Sequence, residues 1–190
     1  MNIKSHLIAF GAATLALILS LAVVVGVIDP VQKLYFPQVF PLVNLIFLPH
    51  GVILITAWLF GAWSIPYLFF GSIISELLLR GIIDPEAAFI TSIVGYVSFE
   101  LLRLSGLDMY KTNKMKSTHV WRYLLLVTFV ASFFNRFTHQ LFIQPKALPE
   151  SPLHTIFFQM VGDIAGTLAL FLMAMFISKL MGLSVIKIRG

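Results

Sequence analysis

A small set of polar and ionisable side chains interrupts the apolar stretches in the C-terminal half of the sequence. Asn135, Arg136 and His139 recur at helical spacing, and Gln159 and Asp163 are four residues apart, so each set lies along one helical face. Ionisable groups are costly in an apolar environment, and those found there form ion pairs, ligand sites or proton relays. Two uses stay open: a structural ion pair between Arg136 and Asp163, or part of a site for an anion, a proton or a small ligand.

Proline and glycine mark two further positions in apolar stretches. Pro49 and Gly51 flank His50, and such residues interrupt helical hydrogen bonding, which is tolerated where the backbone faces protein or a cavity. Gly162 and Gly166 form a G-x-x-x-G spacing, which allows a neighbouring helix to approach closely. The sequence has no H-x-x-x-H or E-x-x-H pattern, so we expect His50 to serve packing or a ligand pocket and no metal site.

Two glutamate–arginine pairs have the spacing of neighbours on one helix. Glu76 and Arg80 are four residues apart, and Glu100 and Arg103 are three apart. Opposite charges at these spacings attract each other, which lowers the cost of holding both near lipid. We expect both to be local ion pairs.

Catalytic signatures are missing from the sequence. It contains no G-x-S-x-G, Walker A or H-E-x-x-H motif, and Asp163 is the only aspartate in the middle of an apolar stretch. There is no cysteine, which excludes thiolate catalysis and cysteine-bound zinc or iron–sulfur clusters. We therefore expect a protein that is not an enzyme, and whether it uses a cofactor is unknown from the residues.

The composition indicates the element that must position these side chains, a membrane helix. The chain has 190 residues, of which 59% are hydrophobic and 11% charged, against roughly 25% charged in soluble domains. The predicted fold is an all-α polytopic transmembrane bundle, a single integral membrane domain over residues 1–190. The net charge of +5 matches anionic lipid headgroups, and no basic stripe with interleaved aromatic residues indicates a nucleic-acid partner.

Six apolar stretches are long enough to be candidate spans. They cover residues 7–28, 41–60, 63–79, 85–104, 121–143 and 155–180. Gly61-Ala62 alone separates the second stretch from the third, so these form either a tight hairpin or a differently broken pair. Residues 29–40, with their aromatic side chains and prolines, are predicted to lie along the membrane interface.

The distribution of basic residues predicts the orientation. With six spans, most of the 13 lysines and arginines fall on the side of both termini, which the positive-inside rule assigns to the cytoplasm. We expect a multi-pass protein of the bacterial inner membrane. Arg136 then lies about 10 Å and Asp163 about 12 Å from the outer ends of consecutive antiparallel helices. The matching depth predicts that the two side chains form an intramembrane ion pair.

Two segments resemble a known family. The first is the sequence FLPHGVILITAWLFG over residues 47–61 with the P-x-x-x-x-G that follows it, and the second is GDIAG over residues 162–166. They resemble the integral-membrane sensor domains that precede diguanylate cyclases and histidine kinases, the first of the membrane-associated sensor types. The resemblance implies a stand-alone or truncated sensor module, with Pro49, His50, Gly51 and the Gly162-Asp163 and Gly166 positions carried over from the family's motifs.

Three functions are compatible with these features. The first is a sensor-like receptor that binds a small ligand in a polar pocket in the outer half and signals to a cytoplasmic partner through the basic loop at residues 105–120. The second is a small transporter, or a substrate-binding subunit of the energy-coupling-factor type that works with a separate ATPase. The third is an assembly factor without a ligand. Ligand identity and oligomeric state have no sequence signal.

Overall fold

The computed structural model describes residues 2–37, 44–110, 117–142 and 152–180, and within these ranges the chain is helical with no β-strand. The helices are listed here in chain order. They are α1 (Ile3–Val23), α2 (Asp29–Tyr35), α3 (Leu48–Phe60), α4 (Ser64–Arg80), α5 (Pro85–Leu104), α6 (Ser117–Phe142) and α7 (Pro152–Leu180).

Four helical stretches are long and apolar enough to cross a membrane. They are Ile3–Tyr35, Leu48–Arg80, Pro85–Leu104 and Ile156–Ile177. The protein is therefore a helical membrane protein, and many large apolar side chains, such as Leu19, Phe129 and Phe176, lie on its outer surface, where lipid would cover them. Helix α6 is not among the four, because its polar stripe lowers its mean hydropathy.

The first helical stretch is longer than its predicted range of residues 7–28. A π-helical turn, Val24–Ile28, joins α1 to α2, and the helix continues to Tyr35. Proline inside a regular helix clashes with the carbonyl four residues earlier, and the wider π turn before Pro30 relieves that clash. Asp29–Tyr35 is thus helical and continuous with the first span, its position at the membrane interface stays a prediction, and residues 38–40 lie outside the described ranges.

The second span also differs from its prediction. Helix α3 begins at Leu48 rather than at residue 41, residues 44–47 are not helical, and residues 41–43 lie outside the described ranges. Pro49 explains the late start: it is tolerated in the first turn of a helix, where no N–H is required, but excludes a helical turn before it.

Helices α3 and α4 form an antiparallel hairpin, which decides between the two arrangements left open above. The chain turns at Gly61–Trp63, where Gly61 has φ of 56°, a conformation that side-chain-bearing residues rarely adopt. Val52 and Ile53 pack in one buried cluster with Leu68. A continuous helix would hold positions 53 and 68 about 22 Å apart, so only a reversal brings them together.

Local signals account for the other helix ends. Asp84 caps α5 by accepting a hydrogen bond from the Ala87 N–H, and α5 covers the predicted residues 85–104. Gly81, with φ of 68°, ends α4. Helices α6 and α7 begin a few residues before their predicted starts at 121 and 155, and the predicted end of α6 at residue 143 lies outside the described ranges.

Helix α3 lies at the centre of the bundle. It packs against α1, α4, α5 and α7 and touches α6. Leu54 and Ala57 of α3 lie in a buried cluster with Phe99 of α5 and with Val127 and Ala131 of α6. The N-terminal turn of α3 contacts α7, and Trp58 near its other end contacts the α5–α6 loop, so α3 reaches both ends of the bundle.

Candidate functional site

A buried ion pair joins α6 to α7. The Arg136 guanidinium donates from Nε to Asp163 Oδ2 over 3.0 Å and from Nη2 to Oδ1 over 2.6 Å. The Asp163 side chain has no exposed surface and that of Arg136 is 19% exposed. This two-pronged geometry is the strongest that arginine and a carboxylate form, and it offsets the cost of removing both charges from water.

His50 in the first turn of α3 borders the ion pair. Its Nδ1 lies 3.9 Å from Asp163 Oδ2, and its Nε2 lies 3.2 Å from the hydroxyl oxygen of Ser132 on α6. The side chain is buried, with 2% of its surface exposed. The Asp163 carboxylate therefore sits beside the N-terminal turn of α3, whose unpaired N–H groups favour negative charge.

The glycine pair of α7 accommodates a non-helical segment rather than the neighbouring helix that its spacing predicts. A Cβ on Gly162 would lie 1.8 Å from the Asn44 carbonyl oxygen, and a Cβ on Gly166 would lie 2.2 Å from that of Phe47. The Phe47 N–H donates to the Gly162 carbonyl over 3.0 Å. The segment Asn44–Phe47 thus lies directly on the backbone of α7, which satisfies polar groups that lipid would leave unpaired.

The same segment is held from two other sides. The Leu45 N–H donates to Gln32 Oε1 of α2 over 2.9 Å, so the α2 extension anchors it. The Phe47 ring centroid lies 5.8 Å from Arg136 Cζ, close enough for a cation–π contact.

A cavity of about 360 Å³ adjoins Arg136 and the segment Asn44–Phe47. Its walls come from α1, α3, α4, α5, α6 and α7 and from the segment Asn44–Phe47. Charged side chains of both signs and apolar side chains line it together. The lining residues used below are Leu17, Leu21, Ser72, Ile73, Glu76, Arg80, Asp84, Thr91, Asn135, Arg136, His139 and Gln159.

Four of the six residues predicted for a ligand pocket line this cavity, namely Asn135, Arg136, His139 and Gln159. Pro49, predicted as a structural position, lines it as well. His50 and Asp163 do not line it but are buried directly behind Arg136, while Gly51 packs against the Thr167 backbone of α7. The sequence placed the polar face of α6 in the site correctly, because helical spacing groups those side chains.

Several cavity residues lack a clear sequence signal. Thr91 of α5 is one: its hydroxyl oxygen lies 3.4 Å from Asn135 Oδ1 and 3.3 Å from His139 Nε2. A single threonine in an apolar helix is ordinary in a sequence, and only the packing of α5 on α6 brings it into the site. Asp84 is recognisable in the sequence as an acidic residue near a helix end, but not as a member of this cavity.

The two glutamate–arginine pairs lie in different places. Arg80 Nη1 is 3.4 Å from Glu76 Oε1, and both residues line the cavity. Arg103 Nη2 is 2.5 Å from Glu100 Oε2 near the end of α5, and neither residue lines the cavity. The Glu100–Arg103 pair is therefore a local feature of α5.

The geometry fits binding of a polar molecule better than metal chemistry. In the described ranges, no group of three or more histidine, aspartate or glutamate side chains is placed to hold a metal ion. The guanidinium groups of Arg80 and Arg136 and the carboxylates of the cavity wall can bind polar groups of a ligand. The apolar side chains of the lining can contact the rest of the molecule.

Comparisons with known proteins do not assign this site. No family model matches the chain, and no curated protein or solved structure matches it. The resemblance to membrane-associated sensor domains therefore stays a prediction.

Proposed function

We propose that the protein is a six-span receptor module of a bacterial inner membrane, with both termini in the cytoplasm, that binds a small ligand in the outer-half cavity. The observation that carries the proposal is the cavity over the buried Arg136–Asp163 pair. A bidentate pair holds the guanidinium rigidly at the cavity wall, and a rigid, partly desolvated donor is what selective recognition of a polar ligand requires.

A path from the cavity to the other end of the bundle supports a signalling role. Helix α3 carries His50 beside the ion pair at one end and Trp58 near the other. The Trp58 indole N–H donates to the Met109 carbonyl oxygen over 3.0 Å, which attaches α3 to the α5–α6 loop. Residues 111–116, which include three lysines of that loop, lie outside the described ranges. In this proposal a ligand shifts α3, and the loop transmits the change to a cytoplasmic signalling protein.

Native mass spectrometry of the purified protein tests ligand binding. We expect a small molecule to be retained by the unaltered protein and to be reduced in T91V, because Thr91 lines the cavity and valine matches its shape without the hydroxyl. The matched control is T128V, since Thr128 is buried on α6 away from the cavity lining. A consistently empty protein, or equal loss in both variants, contradicts the proposal.

Cysteine labelling tests the predicted orientation, because the natural chain has no cysteine. Ser5→Cys places a thiol at the start of α1, and Ile83→Cys places one in the exposed turn between α4 and α5. We expect a membrane-impermeant maleimide to label Ile83→Cys in intact cells and Ser5→Cys only after permeabilisation. Labelling of both from the same side would contradict the assignment.

The alternative function is a small transporter, or a substrate-binding subunit that works with a separate ATPase. One observation favours it: α3 begins inside the bundle, with its first turn beside Asp163, and interrupted helices with internal ends are typical of transporter sites. Uptake of the retained molecule into proteoliposomes, alone or with a co-purified ATPase, would favour transport. Binding without uptake in either preparation would favour the receptor.

A further inference from the structure

One wall of the cavity presents a cation with unused hydrogen-bonding capacity. Arg136 uses Nε and Nη2 for Asp163, and within the described ranges Nη1 makes no hydrogen bond. The neighbouring Asn135 and His139 also line the cavity. Asp163 holds one side of the guanidinium, and the side exposed to the cavity can bind a second anion, because arginine has five N–H donors.

The α4 wall presents a carboxylate that is loosely held. Both oxygens of Glu76 lie 3.4 Å from the same nitrogen of Arg80, a long contact between side chains that are 31% and 28% exposed. Exposed pairs of this kind contribute little to stability and exchange readily with other partners. Glu76 can therefore turn to a cation in the cavity, with Asp84 on the same lining.

Apolar side chains supply part of the cavity lining. Leu17, Leu21 and Ile73 line the cavity along with the charged groups. Each arginine of the lining already has a carboxylate partner, Arg136 with Asp163 and Arg80 with Glu76, and Asp84 caps α5. A neutral molecule with two opposite charges adds no net charge to this arrangement, whereas a singly charged ligand adds one in surroundings of low dielectric constant.

We infer that the cavity holds a small zwitterion, with its carboxylate or phosphate at Arg136, its ammonium at Glu76 and a short apolar linker between them. This inference rests on the proposed ligand-binding function and names the chemistry of the ligand. The volume of about 360 Å³ lies near the lower end of the roughly 300–1,000 Å³ typical of ligand pockets, which fits a small metabolite or a headgroup.

Three compounds of matched length test the charge requirement directly. 4-Aminobutyrate carries both charges, butyrate only the negative charge and n-butylamine only the positive charge. We expect 4-aminobutyrate to bind the purified protein in uncharged detergent at least about tenfold more tightly than either of the others, measured by calorimetry. Glycerophosphoethanolamine, whose phosphodiester carries a single negative charge, serves as the phosphate counterpart and is expected to bind as well. Equal binding of butyrate or butylamine, or no binding of either zwitterion, overturns the inference.

A lipid headgroup and a free molecule can supply the same chemistry. Nanodiscs of phosphatidylethanolamine and of phosphatidylglycerol distinguish them. If the headgroup is the ligand, 4-aminobutyrate binds in the phosphatidylglycerol discs and is displaced in the phosphatidylethanolamine discs. If the ligand is free in solution, it binds equally in both. Either result supports zwitterion recognition, and absence of binding in both discs contradicts it.

Variants connect the binding to the named residues. E76Q is expected to weaken 4-aminobutyrate binding about tenfold and to leave the weak binding of butyrate unchanged, because only the ammonium contact is lost. The matched control, E100Q, removes a similar carboxylate outside the cavity and is expected to change neither. An equal effect of E76Q and E100Q would overturn the assignment of Glu76.

The two proposals can fail separately. A retained molecule that carries a single charge or none, and that is lost in T91V, would overturn the zwitterion inference and leave ligand binding intact. A protein that retains no molecule and binds none of the named compounds would overturn both.

Discussion

The Arg136–Asp163 pair allows a quantitative test of the bundle. Asp163→Asn removes the negative charge and leaves a guanidinium that is only 19% exposed, and Arg136→Gln leaves a carboxylate with no exposed surface. Breaking a buried pair by removing one partner costs about 3–5 kcal/mol. Because Arg136 reaches the cavity and keeps part of its hydration, we expect the lower end, about 3 kcal/mol for each single change.

The double variant distinguishes an ionic contact from mere proximity. If the charges compensate each other, the second change removes the group that the first left unpaired, and the double variant costs about 3 kcal/mol rather than about 6, a coupling of about 3 kcal/mol. Neutral hydrogen bonds between membrane helices give couplings of about 0.6 kcal/mol on average and about 1.7 at most. A value well above that range requires the charge pair.

The assay is unfolding in mixed micelles by titration with sodium dodecyl sulfate, followed through the fluorescence of the three tryptophans. Glu100→Gln with Arg103→Gln is the matched control, because that pair has one residue half exposed and its expected coupling is about 0.3–0.5 kcal/mol. A coupling for Arg136 and Asp163 no larger than that of the control would refute the reasoning.

Two further predictions concern the contacts that hold the site in place. Gly166→Ala is expected to destabilise the protein by about 3 kcal/mol or more, because the new Cβ would meet the backbone of Phe47, whereas Gly11→Ala meets nothing within 4 Å and should change the thermal midpoint little. Equal midpoints for the two variants would contradict the close packing. Trp58→Phe removes the hydrogen bond to the α5–α6 loop, which contributes about 1 kcal/mol, so we expect trypsin to cleave the basic loop faster. Trp63→Phe is the control, because the Trp63 side chain is exposed, and it should leave the cleavage rate unchanged.

Much of the secondary structure was predictable because its signals are local. The Asp84-Pro85 start of α5 is a cap followed by a first-turn proline, and the structure places the helix over the predicted residues. The continuation of the first helix through Pro30 was not predictable, because a proline usually ends or kinks a helix and here a π turn before it accommodates the ring. The start of α3 at Leu48 follows from Pro49, a local signal that hydropathy alone obscures.

The site was predictable in part. Hydropathy and depth brought Arg136 and Asp163 to one level, and their contact follows because each charge lacks another partner at that level. Thr91 and Asp84 could not be assigned, since their place in the cavity depends on how α5 and the turn before it face α6, and that orientation is fixed by contacts between residues distant in the sequence. The partner of Gly162 could not be assigned either, because a small residue permits a close approach without specifying what approaches.

The composition and periodicity of this chain determine a helical membrane protein, the approximate ranges of its helices and the need to compensate the charges inside them, because burial in lipid acts on each helix separately. The tertiary structure alone decides the reversal at Gly61, the placement of Asn44–Phe47 on α7 and the cavity with charges of both signs. These depend on which helical faces meet, and many pairings bury similar apolar area. Close packing and the satisfaction of polar groups select one of them.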